Sequence, residues 1–166
     1  IPSGIEVKIL NVWGRQIDDA YNYGIQQALA DQADYVLTVE DDTFPNNDSL
    51  IKLFELIRNN PNSAVGAWYP KREVYKEGVH IIIKNNKRQS LKADNKVHEV
   101  YTLAMGCSLY PIEIFMKTKY PWFKTTANLS QDSFFSQLAR DEGYKLLVDT
   151  SIKCKHIDRI TKEVFE

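Results

Sequence analysis

YVLTVEDDTFP, residues 35–45, is the stretch around which the predicted fold is built. Its first five residues are apolar or β-branched, which is typical of a short strand, and Glu40, Asp41 and Asp42 follow at once. In open α/β sheets, ligands bind beyond the carboxyl ends of the strands. Adjacent carboxylates repel one another unless a cation lies among them, so the stretch indicates a site for Mg²⁺ or Mn²⁺. A simple turn continued by Pro45 is the alternative interpretation, and both remain open here.

Strand and helix patterns alternate on both sides of this stretch and predict an α/β fold. Residues 7–12 have the apolar content of a strand, and Asp18 and Asp19 open a helical pattern that leads into strand 35–39. Strand, helix and strand with short connections form the βαβ unit of a parallel sheet. Further along the chain, the patterns predict helices from Asn47 or Asp48 to Asn59, over 112–118 and over 131–142. They predict strands over 64–69, 79–83, 89–91, 97–105 and 145–148, with a hairpin turn at 85–86. The charged tail after 149 is compatible with a helix.

Length and composition restrict the class of protein. The 166 residues are enough for one domain with a core, and 43% are hydrophobic without any run long enough to span a bilayer. The net charge of -1 gives no reason to expect a nucleic acid partner. Two cysteines, Cys107 and Cys154, are too few for a disulfide framework, so a reducing compartment is predicted. Because the chain starts at Ile1 without Met or a signal segment, we expect a piece of a longer protein.

Two further residues become candidates because of where they stand relative to the predicted elements. Asp132 lies in the first turn of the helix over 131–142, where its ordinary role is to stabilise the helix N-terminus together with Ser130. His156 follows the last predicted strand, and a single histidine is more often a hydrogen-bonded residue than a metal ligand. His80 and His98 stand in strand-like contexts without a carboxylate cluster nearby.

Three segments, in this order along the chain, resemble the motifs of a known family. YVLTVEDDTFPNNDSL (35–50), MGCSLYPIEIF (105–115) and SQDSFFSQLARDEGYKLLVDTSIKCKHI (130–157) are similar to motifs of GT-A fold glycosyltransferases, closest to family 2, the inverting nucleotide-sugar transferases. The first segment resembles the strand with its DxD motif and following helix. The second resembles the acceptor-side strand and helix, and the third resembles the ED-containing helix with a final strand and trailing histidine. The resemblance covers about residues 11–157. It implies one GT-A-like domain over residues 1–166, with a mostly parallel or mixed sheet flanked by helices in three α/β/α layers.

The resemblance also implies a role for each candidate residue. Glu40 and Asp42 are the outer positions of the DxD motif: Asp42 would bind the Mn²⁺ or Mg²⁺ that bridges the donor diphosphate. Glu40 or Asp41 would face the nucleoside ribose or the waters of the metal. His156 matches a position that supplies a further metal or diphosphate contact. Asp132 matches the general base, which takes the proton of an acceptor hydroxyl while that hydroxyl attacks the anomeric carbon from the opposite face and inverts it.

Three basic or aromatic features fit the same site more loosely. Arg15 could meet a donor phosphate, although a surface salt bridge explains it equally well. The aromatic cluster over residues 120–123 could stack on an acceptor sugar or simply belong to the core. Lys71 and Arg72 could lie over the donor diphosphate.

The sequence departs from the family pattern in three places. Glu40 replaces the first Asp of the DxD motif, and Gln131 stands where a carboxylate usually precedes the base. The family normally begins with a strand, a helix and a strand that form the nucleobase pocket, and we expect this chain to start after them.

The leading prediction is a metal-dependent inverting glycosyltransferase for hexosyl or pentosyl transfer from a nucleotide-diphosphate sugar. Its acceptor would be a glycan, a lipid-linked glycan or a protein, in the cytoplasm or at the inner membrane surface. The alternative is a degenerate or truncated GT-A domain that binds a ligand or partner without turnover. A nucleotidyltransferase or phosphohydrolase using the same acids is a third interpretation, but the chain lacks the Gly-rich phosphate loop expected of the former.

Overall fold

The computed structural model describes residues 4–71, 77–84, 87–158 and 160–165. Within these ranges the helices are α1 (Ile17–Ala30), α2 (Ser49–Asn59), α3 (Glu113–Lys117) and α4 (Gln131–Asp141). The strands are β1 (Tyr35–Val39), β2 (Thr43–Pro45), β3 (Ser63–Trp68), β4 (Ile81–Lys84), β5 (Lys87–Ser90), β6 (Val97–Glu99), β7 (Cys107–Pro111), β8 (Lys145–Ile157) and β9 (Val164–Phe165). None of the described helices has the length and apolar character that crossing a bilayer requires.

Seven strands form one mixed sheet in the order β1-β7-β3-β8-β2, and β6 and β9 also pair with β8. β3 and β8 are parallel, whereas β7 is antiparallel to both β1 and β3. It follows that β1, β3 and the first half of β8 run in the same direction. Their carboxyl ends therefore meet at one edge of the sheet, the edge at which α/β proteins bind ligands.

The side chains of the central strands point alternately to two apolar clusters, one on each face of the sheet. Ala64 and Trp68 of β3 belong to the cluster that includes residues of α1, α3 and α4. Val65 and Ala67 of the same strand belong to the cluster that includes residues of α2. All six residues of β3 are buried, as expected of a strand covered on both faces. The predicted three-layer α/β/α arrangement is therefore confirmed.

The strand predicted over residues 7–12 is wrong. This segment has no regular secondary structure, and Ile9 is 79% exposed. A strand is stable only when a neighbouring strand completes its hydrogen-bond ladder, and the described part of the chain places none beside this segment. Its apolar composition alone did not determine its conformation, and the expected βαβ unit with α1 and β1 is not formed.

The sequence also misplaced strand boundaries later in the chain. The strand predicted over 97–105 is only Val97–Glu99, whereas Cys107–Pro111 forms a central strand of the sheet. The strand predicted to end at residue 148 continues to Ile157, and the tail pairs with it as β9 rather than forming a helix. β4 and β5 form the expected antiparallel pair, but the turn at 85–86 lies outside the described residues.

His80 is a core residue whose neutral form is required by its hydrogen bonds. Nε2 donates to the Ala67 carbonyl oxygen at 2.8 Å, and Nδ1 accepts from the Ala104 amide at 3.2 Å. The side chain is completely buried, and burial lowers the pKa of His80 to about 4. Below the ordinary histidine pKa of about 6.5, the unfolded chain therefore binds a proton that the folded protein does not.

We therefore expect the free energy of unfolding to fall as the pH is lowered from about 6.5 towards 4, by about 3 kcal/mol in total from this residue. Urea denaturation at a series of pH values measures this. His80→Gln should flatten the pH dependence in this window, because the titrating group is gone. His98→Gln is the control, since His98 lies near the surface in contact with Asp94. Equal slopes in the two variants would contradict the assignment.

Candidate functional site

The chain leaves β1 through a tight turn of residues 40–43, here called the acid turn. The Glu40 amide donates to the Gly106 carbonyl oxygen at 3.0 Å, and the Thr43 amide donates back to the Glu40 carbonyl oxygen at 3.0 Å. β2 then begins at Thr43 and pairs with the second half of β8. The strand end and the turn thus hold three consecutive carboxylates at the ligand-binding edge of the sheet.

Strand pairing places His156 beside Asp42. Thr43 is directly opposite His156 in the pairing of β2 with β8, and the Ile157 amide donates to the Asp42 carbonyl oxygen at 2.8 Å. The distance from Asp42 Oδ1 to His156 Nε2 is 3.8 Å, and both side chains are buried. Residues 114 positions apart are therefore brought together by the register of two strands.

The hydrogen bond of His156 defines which ring nitrogen faces Asp42. Nδ1 lies 2.8 Å from the Pro70 carbonyl oxygen, and a carbonyl only accepts, so Nδ1 carries the proton. In the neutral ring, Nε2 then presents its lone pair towards Asp42. A histidine that donates one ring N–H to a backbone carbonyl and offers the other nitrogen is the usual arrangement of a metal ligand.

The spacing of Asp42 and His156 is close to that of two ligands of one hard cation. Ligands about 2.1 Å from an octahedral cation lie about 3.0 Å apart when adjacent and about 4.2 Å apart when opposite. The observed 3.8 Å matches neither distance and is too long for a direct hydrogen bond, so the two groups would move by less than about 1 Å to share one cation. No group of three or more His, Cys, Asp or Glu side chains in the described ranges forms a complete metal site. Two protein ligands are what a cation shared with substrate phosphates needs.

Glu40 is held by α1. The Tyr21 hydroxyl donates to Glu40 Oε1 at 2.6 Å, and burial together with the Glu40 charge raises the pKa of Tyr21 far above its ordinary value. Tyr21 therefore remains a hydrogen-bond donor to this carboxylate throughout the neutral range. Asp41, the next residue, is exposed at the tip of the acid turn.

Asp132 lies at the start of α4, partly buried. Its Oδ1 accepts hydrogen bonds from the Ser133 amide at 2.7 Å and from the Ser130 hydroxyl. Ser130 was predicted to cap the helix backbone, but its hydroxyl orients the Asp132 carboxylate instead. α4 is tied to the segment before Gly106, since the Leu103 amide donates to Ser136 Oγ at 3.0 Å.

Tyr69, which the sequence did not single out, lies between these groups. It directly follows β3 and is 2% exposed. Burial, the charge of Glu40 and the charge of Asp132 all raise the pKa of Tyr69, so both carboxylates act on the same hydroxyl. In the sequence, Tyr69 could have been recognised by its position at the end of a continuous apolar strand, immediately before Pro70.

The contacts predicted for the other residues with a donor or acceptor are not tested, and the structure gives these residues the following neighbours. The Arg15 guanidinium lies over the Tyr23 ring at 4.2 Å, and its contact with a phosphate stays a prediction. In the aromatic cluster, Trp122 and Phe123 are buried in the core, whereas Tyr120 is 55% exposed. Lys71 forms an ion pair with Glu77 at 3.5 Å, and Arg72 is outside the described residues.

A cavity of about 400 Å³ lies at the opposite end of the sheet, and none of the predicted site residues lines it. Its lining includes Tyr35 at the start of β1 and Ser63 at the start of β3. The acid turn follows the other end of β1. The candidate site is therefore identified by its chemistry and by the direction of the strands, and not by the size of a cavity.

Two of the known structures similar to this one are described here. The crystal structure of A197 from STIV matches with a TM-score of 0.70 and 13% sequence identity, over 92% of this chain and 76% of that chain. The crystal structure of GalNAc-T7 with UDP, GalNAc and Mn²⁺ matches with a TM-score of 0.62 and 15% identity, over 86% of this chain but only 30% of that chain. At such identities the likeness establishes the fold alone, and it confirms the GT-A-like α/β prediction.

Sequence comparison identifies the family. No curated protein sequence matches the chain. The model of the family described as "Glycosyl transferase family 2" matches residues 6–118, a range that includes β1, the acid turn, Tyr69 and Gly106. Asp132 and His156 lie beyond the matched range. Because the match extends over more than half of the chain, this protein belongs to glycosyl transferase family 2.

Proposed function

We propose that this protein is a metal-dependent inverting glycosyltransferase that transfers a sugar from a nucleoside-diphosphate donor to an acceptor hydroxyl. One observation carries the metal-dependent part: Asp42 Oδ1 and His156 Nε2 face each other at 3.8 Å in a buried site at the carboxyl edge of the sheet. These two residues would hold Mn²⁺ or Mg²⁺. When bound, the cation would neutralise the diphosphate as it leaves the sugar.

The remaining carboxylates have separate roles in this proposal. Asp132 would accept the proton of the acceptor hydroxyl, and its Oδ1 is oriented for this by Ser130 and the Ser133 amide. Glu40, fixed by Tyr21, and the exposed Asp41 would face the ribose or water molecules around the cation. A base in this position must not bind the cation itself, because a bound cation would reduce its basicity.

The donor class is supported by family membership and by the similar structure of GalNAc-T7, which contains UDP, GalNAc and Mn²⁺. We propose a hexosyl or pentosyl donor and an acceptor that is a glycan, a lipid-linked glycan or a protein. Cytoplasmic action, or action at the inner membrane surface, is part of the same proposal.

The test is a calorimetric titration of the protein with a panel of nucleoside diphosphates, with and without Mn²⁺. We expect one nucleotide to bind only when Mn²⁺ is present, because the diphosphate completes the coordination of a cation held by two protein groups. His156→Asn should weaken this binding by at least about 10-fold. His98→Asn is the control, since His98 pairs with Asp94. Failure of every nucleotide to bind, with or without Mn²⁺, would contradict the proposal and favour a binding module without turnover.

A further inference from the structure

Tyr69 contacts the candidate site through its ring. The ring packs edge-on against the His156 ring, with centroids 5.4 Å apart and an interplanar angle of 83°. It also packs edge-on against the His80 ring, with centroids 5.5 Å apart and an interplanar angle of 79°. His80 is fixed in the core by two backbone hydrogen bonds, so Tyr69 connects His156 to a rigid part of the protein.

The hydroxyl of Tyr69 contacts the other half of the site through Gly106. The Gly106 amide donates to Tyr69 Oη at 2.7 Å, while the Gly106 carbonyl oxygen accepts from the Glu40 amide at 3.0 Å. A Cβ at Gly106 would lie 2.4 Å from Tyr69 Oη and 2.7 Å from Thr43 Oγ1, so the absence of a side chain permits this approach. The Tyr69 hydroxyl, Gly106 and the acid turn are therefore connected by hydrogen bonds.

Pro70, the residue after Tyr69, also contacts His156. The Pro70 carbonyl oxygen accepts the Nδ1 proton of His156 at 2.8 Å and so determines which nitrogen faces Asp42. Two consecutive residues directly after β3 thus contact His156, and one of them, Tyr69, is also linked through Gly106 to the acid turn.

We propose that Tyr69 is a positioning residue: its ring holds His156 and its hydroxyl, through Gly106, holds the acid turn, so that Asp42 and His156 stay close enough to share one cation. The inference deepens the proposed function and rests on it. Tyr69 is only 2% exposed, so in this proposal it acts through these neighbours and not by contact with the substrate.

Tyr69→Phe tests the hydroxyl while keeping the ring. We expect it to fold and to weaken Mn²⁺-dependent nucleotide binding by about 10-fold or more, as is usual when a residue supporting metal ligands is changed. Tyr110→Phe is the matched control: its hydroxyl is equally buried but bonds to Met105 Sδ at 2.9 Å. Tyr110→Phe should lower thermal stability without changing nucleotide affinity. Equal affinity of the parent and Tyr69→Phe would overturn the inference while leaving the proposed function standing.

A second measurement needs no metal and no nucleotide. Amide hydrogen exchange, followed by NMR on the metal-free protein, should be faster at Gly106 and Glu40 in Tyr69→Phe than in the parent, and unchanged in Tyr110→Phe. If the parent binds no nucleotide, the proposed function fails, and this exchange experiment still decides whether Tyr69 holds the acid turn. Unchanged exchange at both amides in Tyr69→Phe would overturn the inference.

Discussion

Asp132→Asn is expected to transfer sugar about 10²–10⁴-fold more slowly than the parent, the usual contribution of a general base. Asparagine has the same shape, and its Oδ1 still accepts the hydrogen bonds from Ser130 and the Ser133 amide. Only the capacity to take a proton is lost. The kcat with the donor and acceptor found by screening measures the effect, and donor affinity should change little because Asp132 is not one of the proposed metal ligands.

The matched control is Asp141→Asn, which removes one carboxylate from the other end of the same helix α4. It should leave the kcat unchanged. If Asp132→Asn and Asp141→Asn gave the same rate, Asp132 would only stabilise the helix N-terminus. In that case another group would have to accept the proton.

Asp42→Asn is expected to abolish metal-dependent nucleotide binding, with an affinity loss of more than about 100-fold, which exceeds the loss usual for supporting residues. The side chain keeps its size, but the carboxylate that faces His156 Nε2 becomes a neutral amide, a weaker ligand for a hard cation. Calorimetric titration with the nucleotide identified for the parent, in Mn²⁺, measures the loss.

Thermal unfolding separates this effect from a general loss of stability. A ligand that binds only the folded state at 100 times its Kd stabilises it by about 2.7 kcal/mol, so Mn²⁺ with nucleotide should raise the Tm of the parent and not that of Asp42→Asn. Asp48→Asn serves as control, because Asp48 is exposed and pairs with Lys52 at 2.7 Å. A nucleotide-induced rise in Tm in Asp42→Asn equal to that of the parent would contradict the assignment of Asp42.

The extent of agreement between sequence and structure differs from element to element. The helices α1, α2 and α4 and the strands β1 and β3 follow patterns visible within single segments, and they formed where their periodicity and turn residues predicted. Residues 7–12 show the same apolar content as β1 but did not become a strand. β1 pairs with β7, whereas the described chain provides no partner for residues 7–12.

In the candidate site, too, some residues were predictable from the sequence and others were not. Glu40, Asp41 and Asp42 were recognisable because they follow a strand directly, which is a local property of the sequence. Tyr69 was not recognisable as a site residue, because a buried tyrosine at the end of an apolar strand is most simply a core residue. Its relation to Gly106, His156 and the acid turn exists only through contacts between different strands.

The sequence by itself determined the α/β class, most of the helices and the three carboxylates after β1, because these depend on residues close together in the chain. The tertiary structure alone decided that His156 stands opposite Thr43, that its Nδ1 bonds to Pro70 and that Tyr69 connects it to Gly106. The physical reason is that strand register is set by side-chain burial over the whole sheet, and a shift of one residue would turn His156 to the other face.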